Sequence, residues 1–321
     1  MLDSVLLNDW HPVTLASALA PNQILPARLL GEQIILWRTA AGVAAWEDLC
    51  PHRGTPLSMG RIEQGALVCG YHGWTYNHEG QCIRFPSAPG QIPPANARVH
   101  RIYRVQERYG LLWVCMGQPE RDIPVFAEWD DASYRKVMCG PYACRASGTR
   151  FMENFLDAAH FAYVHEGVLG DLEHPEIPKY DIEVGPEEIT ASNIRVWQPN
   201  PDGLGQGAYV TYTYKVLRPF TAYLKKVSRQ AFVIYFAITP VEETACIGWM
   251  WLAMNYGHET PEEEIRAFQD QIVAQDLPVV EAQKPERLPL DLQAELHHRS
   301  DATAIAYRKW LKEQGLSFGT A

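Results

Sequence analysis

Basic charge is scarce in this sequence: 28 lysines and arginines stand against 38 aspartates and glutamates, a net charge of -10. Nucleic acid, whose phosphates call for a basic face, is thereby excluded as a partner. Long hydrophobic runs are also missing. Stretches such as 232–239 and 247–254 fall far short of the roughly 20 apolar residues that cross a bilayer, so no membrane partner is expected. The N-terminus carries acidic residues and no basic cluster ahead of an apolar run, so it does not read as a secretion signal, and a cytoplasmic location is the expectation. Cysteine is sparse and odd in number. Seven of them scattered over 321 residues do not make a disulfide framework, which leaves thiols free for metal. Repeats and low-complexity segments are absent as well.

What is present is enough apolar residue, 47%, for two cores. The first third alternates apolar and polar residues in short runs, as in 33–38 and 43–46, with glycine turns between them, and reads as a small β domain closing near Cys115. Glycine and proline punctuate 117–124 like a linker, which sets the expected domains at 1–118 and 119–321. The second domain opens with a strand over 136–147 and a helix from about 150 to 166. Strand-rich text fills 177–256, where 208–216 is β-branched and aromatic. A helix is then expected from Thr260 to about Lys284, capped by Thr260 with Glu263 completing a capping box, and bent near Pro278. An amphipathic helix over 301–314 closes the chain. The fold class is α+β: a β domain followed by a sheet with helices.

Two motifs carry chemistry. Cys50-Pro-His52-Arg-Gly and Cys69-Gly-Tyr-His72-Gly-Trp place one cysteine and one histidine in each of two loops. Two thiolates for one iron and two imidazoles for the other is the ligand set of a Rieske [2Fe-2S] cluster. A tetrahedral zinc site is the competing reading, but zinc pairs its cysteines as C-x2-4-C within one loop. Gly54, Gly70 and Gly73 are expected to let the loops turn tightly around the cluster. The other cysteines, at 82, 115, 139, 144 and 246, show no paired spacing and are expected as core thiols.

The second motif is Asn154-x2-Asp157-x2-His160-x4-His165 on the helix expected over 150–166. Five residues turn an ideal helix through about 500°, so His165 would point about 140° away from His160. Both can grip one ion only if the helix bulges or ends between them, and that is expected. Two imidazoles and one carboxylate form the facial triad of mononuclear iron oxygenases, which leaves positions open for dioxygen. Asp270, Asp276 and Asp301 are the candidate carboxylates.

The cluster loops together with the Asn154–His165 motif resemble the Rieske-type non-heme iron oxygenases, terminal (alpha) subunits of the phthalate dioxygenase-like branch. The likeness extends to the segment around Asp276 and to the tail from Ser300 to Trp310. It implies that Asp276 is the third ligand and that the second domain has a helix-grip fold, in which the sheet is antiparallel. Three subunits would form a ring in which Asp157 links His72 of one chain to His160 of the next. The implied cofactors are a [2Fe-2S] cluster held by Cys50, His52, Cys69 and His72, and Fe(II) held by His160, His165 and Asp276. Dioxygen is the co-substrate, and NAD(P)H electrons arrive through a separate reductase or ferredoxin. Monooxygenation of a small aromatic or heterocyclic molecule, by hydroxylation or oxidative demethylation, is the expected reaction, with Asp157 and Asn154 assisting. Ring cis-dihydroxylation and a pure electron-transfer protein are the alternatives.

Overall fold

The computed structural model describes residues 3–201, 203, 205–228 and 230–321. It divides into two compact units, Leu6–Ile123 and Pro124–Ala321, with the N-terminal segment up to Val5 joining the second. The chain thus passes between units five residues beyond the expected 118/119 step. Among the described residues no helix is long and apolar enough to cross a membrane.

After a short helix α1 (Ser4–Leu7), the first unit holds β1 (His11–Leu15), β2 (Ile24–Leu29), β3 (Glu32–Thr39), β4 (Gly42–Glu47), β5 (Arg61–Glu63), β6 (Ala66–Val68), β7 (Thr75–Tyr76), β8 (Cys82–Arg84), β9 (Ile102–Arg108) and β10 (Leu111–Cys115). They form a six-stranded sheet, β1-β10-β9-β4-β3-β2, and a four-stranded one, β5-β6-β7-β8. Trp37 on β3 and Trp46 on β4 meet edge to face at 4.9 Å and are fully buried. Each such ring stabilises the unit by roughly 2–3 kcal/mol. Their core extends through Leu67 and Tyr76 to Cys50 and Cys69, so packing anchors both motif loops from below.

The second unit is an α+β structure on one seven-stranded antiparallel sheet. Its strands are β11 (Arg135–Cys144), β12 (Asp181–Val184), β13 (Ile189–Gln198), β14 (Ala208–Arg218), β15 (Thr221–Val227), β16 (Ala231–Glu242) and β17 (Ala245–Met254), in the order β11-β17-β16-β15-β14-β13-β12. On β14 the alternation shows directly: Val210, Tyr212, Tyr214 and Val216 are buried while the residues between them are not. Helices α2 (Gly148–Leu156), α3 (Phe161–Val164), α4 (Glu262–Ala282) and α5 (Ala302–Glu313) accompany the sheet.

Two local expectations are corrected. The helix expected over 150–166 ends at Leu156, and Asp157 is extended (φ -92°, ψ 134°). Its carboxylate accepts hydrogen bonds from the backbone N–H groups of Ala159 (2.9 Å) and His160 (3.3 Å), a local closure that competes with the helix. One interruption therefore falls before His160, and the single turn α3 that follows then ends at Val164, between His160 and His165 as expected. At α4 the capping residue is Pro261, and no side chain caps the helix, so the Thr260 capping box does not form. The Thr260 carbonyl instead accepts from the Arg135 guanidinium at 2.7 Å. Pro278 does lie inside α4.

Candidate metal centres and substrate cavity

The two cysteine-histidine loops are built alike. In each, the glycine four residues on donates its N–H to the cysteine carbonyl: Gly54 to Cys50 at 2.9 Å and Gly73 to Cys69 at 3.0 Å. Both glycines take left-handed conformations, φ 70° and 69°, that side chains resist. Gly70 has a different reason, since a Cβ there would collide with the Met59 carbonyl. Cys50 and Cys69 are buried, whereas His52 is half-buried and His72 exposed, with their rings 4.6 Å apart. His52 stacks on Trp74 at 4.2 Å. Its Nδ1 is buried without a hydrogen-bond partner. An unpaired imidazole nitrogen beside two buried thiols suits a two-iron cluster with its histidine edge outward. Tyr76, which the motif reading passed over, sets its hydroxyl 3.2 Å from Cys50 Sγ.

The other five cysteines are buried and free, as expected of core thiols. Cys144 and Cys246 nevertheless stand directly opposite each other on β11 and β17, a pairing that their 102-residue separation in the chain conceals.

The second group gathers three elements of the second unit. His160 precedes α3, His165 follows it, and Asp276 comes from the middle of α4. Their ligand atoms all lie within 4.8 Å of one another. Asp276 Oδ1 is 3.1 Å from His165 Nε2 and 3.4 Å from His160 Nε2. The outward nitrogens are held elsewhere: His160 Nδ1 meets Asp157 Oδ2 at 2.9 Å, and His165 Nδ1 meets Gln275 Oε1 at 2.8 Å. Each imidazole is thereby held through Nδ1 with its Nε2 facing Asp276. His165 Nε2 is fully buried with no hydrogen-bond partner. Asn154 completes the group, its amide donating to Asp276 Oδ1 at 3.3 Å.

Burial opposes charge on His160, yet the carboxylates of Asp157 and Asp276 raise its pKa to about 9. Asp276 is driven down to about 2, against its own burial, by His160 and His165. The other candidate carboxylates are engaged elsewhere. Asp270 accepts from the Tyr142 hydroxyl at 2.6 Å, and Asp301 from the backbone of His298 at 2.7 Å.

The triad opens on a cavity of about 750 Å³ between α4 and the sheet. Phe161, Leu224, Ile234, Leu252 and Ile272 give it a mostly apolar lining, with Gln198 and Gln269 among its polar groups. Sequence reasoning missed both glutamines and Gln275. Only for Gln275, beside Asp276, was there a local signal.

An iron-sulfur electron-transfer unit joined in one chain to a triad of two histidines and a carboxylate over an apolar cavity defines an oxidoreductase that works on a small molecule. The Rieske [2Fe-2S] domain family matches residues 9–101, and the vanillate O-demethylase oxygenase C-terminal domain family matches residues 144–315. Methylxanthine N1-demethylase NdmA of Pseudomonas putida is 30% identical over 97% of this chain and 92% of its own length. The vanillate O-demethylase oxygenase subunit of Pseudomonas sp. (strain HR199 / DSM 7063) is 29% identical over 94% and 92%. The solved structure of Pseudomonas putida CBB5 NdmA with caffeine superposes with a TM-score of 0.82 at 30% identity, covering 96% of this chain and 91% of that one. The chain belongs to the Rieske non-heme iron oxygenases, as a terminal oxygenase (alpha) subunit.

Proposed function

We propose that this oxygenase inserts one oxygen atom into a small aromatic or heterocyclic molecule, chiefly by oxidative removal of an N- or O-methyl group. The observation that carries the reading is the convergence of His160, His165 and Asp276 on one wall of a 750 Å³ apolar cavity. Fe(II) held by these three residues would supply the activation of dioxygen, fed by a [2Fe-2S] cluster on Cys50, His52, Cys69 and His72.

The chain's own residues do the rest. Asp157 fixes the His160 ring through Nδ1, Gln275 fixes His165 in the same way, and the Asn154 amide orients the Asp276 carboxylate. Apolar side chains from β15, β16 and β17 hold the substrate and exclude water. For a methyl group on nitrogen or oxygen, R–CH3 + O2 + 2 e- + 2 H+ gives R–CH2OH + H2O. The hydroxymethyl product then falls apart to R–H and formaldehyde without further oxidant. The electrons come from NAD(P)H through a separate reductase or ferredoxin. We place the protein in the cytoplasm as a ring of three subunits, where Asp157 connects His72 of one chain to His160 of its neighbour.

The test is stoichiometry with a reductase and NADH. Formaldehyde formed one for one with dioxygen consumed supports demethylation. A cis-diol product would replace it with dihydroxylation, and a cluster that is reduced with no oxygen uptake would leave an electron carrier.

A further inference from the structure

We propose that the cavity beside the triad selects neutral, planar nitrogen heterocycles carrying ring carbonyl groups and rejects aromatic carboxylates, with Gln269 and Gln198 as the residues that read the ring. This rests on the oxygenase reading above and narrows its substrate.

Charge argues first. Among the described residues lining the cavity, apart from the two histidines of the triad, the one cationic side chain is Lys226. Its ammonium is already engaged, donating to the Pro201 carbonyl at 3.2 Å and lying 5.5 Å over the Phe232 ring. Glu259 and Glu264 line the same cavity in addition to Asp276. An aromatic acid entering here would give up its hydration, meet carboxylates, and find no guanidinium fork to receive it.

The polar groups argue second. Gln269 is 6% exposed, and its amide nitrogen has as acceptor the thioether of Met250 at 3.5 Å, a weak partner for a buried donor. Gln198 is 1% exposed and donates to the Tyr212 hydroxyl at 2.8 Å. That bond leaves the Tyr212 proton and the Gln198 carbonyl oxygen to offer to a ligand. Neutral groups on facing walls of the cavity, Gln269 on α4 and Gln198 with Tyr212 on the sheet, match a lactam or imide ring held between them, whose carbonyls and ring nitrogens alternate acceptor and donor in one plane. Seven residues separate Gln269 from Asp276, so both lie on one face of α4, about 10 Å apart along its axis. That span suits a one- or two-ring heterocycle with its polar edge at Gln269 and a methyl group toward the triad.

The experiment is anaerobic calorimetry on the iron-loaded enzyme with three probes of similar size: 1,3-dimethyluracil, 4-methoxybenzoate and 4-methylanisole. The expected result is dimethyluracil binding at least about tenfold more tightly than methoxybenzoate. Gln269→Met, close to isosteric, is expected to weaken dimethyluracil by about tenfold and to leave 4-methylanisole unchanged. Methoxybenzoate binding as tightly as dimethyluracil overturns the proposal, as does a folded Gln269→Met protein with unaltered dimethyluracil affinity. If that variant does not fold, the wild-type comparison alone decides. Because the readout is binding, a heterocycle that binds tightly yet yields no formaldehyde sinks the demethylation reading and leaves this inference standing.

Discussion

His165 Nε2 faces Asp276 Oδ1 across 3.1 Å without a hydrogen bond, while Gln275, next in the chain to Asp276, holds the other side of the same ring. One stretch of α4 thus supplies both a carboxylate and the group that aims an imidazole at it. Replacing either first partner should remove one metal and nothing else. His165→Ala and Asp276→Ala are each expected to fall from about three irons per chain to about two, with the reduced-cluster EPR signal intact. Loss of the cluster signal along with the iron would contradict two independent centres.

The supporting partners should act more gently. Gln275→Leu frees the His165 ring, and a loss of about tenfold in Fe(II) affinity is expected by competitive chelation. Asp157→Asn keeps a hydrogen bond to His160 but removes the charge. Iron content should hold while the oxygenation rate falls by about 10- to 100-fold. An unchanged rate would deny Asp157 any part beyond holding its own loop.

Tyr76 offers a test in the other unit. Its hydroxyl lies 3.2 Å from Cys50 Sγ, where it would donate to a cluster thiolate and stabilise the reduced, more negative state. Tyr76→Phe removes a bond worth about 1 kcal/mol, so the reduction potential should drop by on the order of 40 mV in protein-film voltammetry. A potential that stays put would mean the hydroxyl does not reach the cluster electrostatically.

Acid stability should depend on the pairs beneath α2. Arg308, 3% exposed, grips Glu153 at 2.6 and 2.7 Å and Glu295 at 2.6 Å, and Arg150 adds a second bond to Glu295 at 2.7 Å. Burial raises the Glu295 carboxyl, but Arg150 and Arg308 outweigh it and hold the group below its ordinary range. A depressed folded pKa adds stability above the unfolded value of about 4.3, and that stability is lost as pH falls through the folded value. Melting temperatures of Glu295→Gln should therefore lie below wild type at pH 7 and converge with it toward pH 3. A constant gap would show that the carboxyl does not titrate with folding.

Much of this was legible in the sequence where chemistry is local. Cys50, His52, Cys69 and His72 sit in two short loops, and their spacing already pointed to them as a ligand set. The strand-rich segments and the closing helix follow from periodicity and punctuation, whereas the antiparallel order of the sheet came with the resemblance. Asp276 was different: 111 residues beyond His165, it was reachable only through a resemblance to known oxygenases. The helix end between His160 and His165 was foreseen, and the earlier break at Asp157 was not. Regular helix geometry says that His160 and His165 diverge, but not that the Asp157 side chain would capture the Ala159 and His160 amides first. At α4, Pro261 took the capping position and the carbonyl of Thr260 went to Arg135. Gln198 and Gln269 carry no spacing signal at all, because the cavity that gives them meaning exists only once β13, β14 and α4 are packed.

The cavity takes most of its floor from strands between 189 and 254, whereas the metal-facing groups come from 154–165 and 275–276. Apart from Gln269 and its apolar neighbours on α4, reactivity and molecular taste are thereby written on separate stretches of chain. Mutational drift along the strands can retune what enters without touching what reacts, so diversification in this lineage is expected to accumulate in the sheet first.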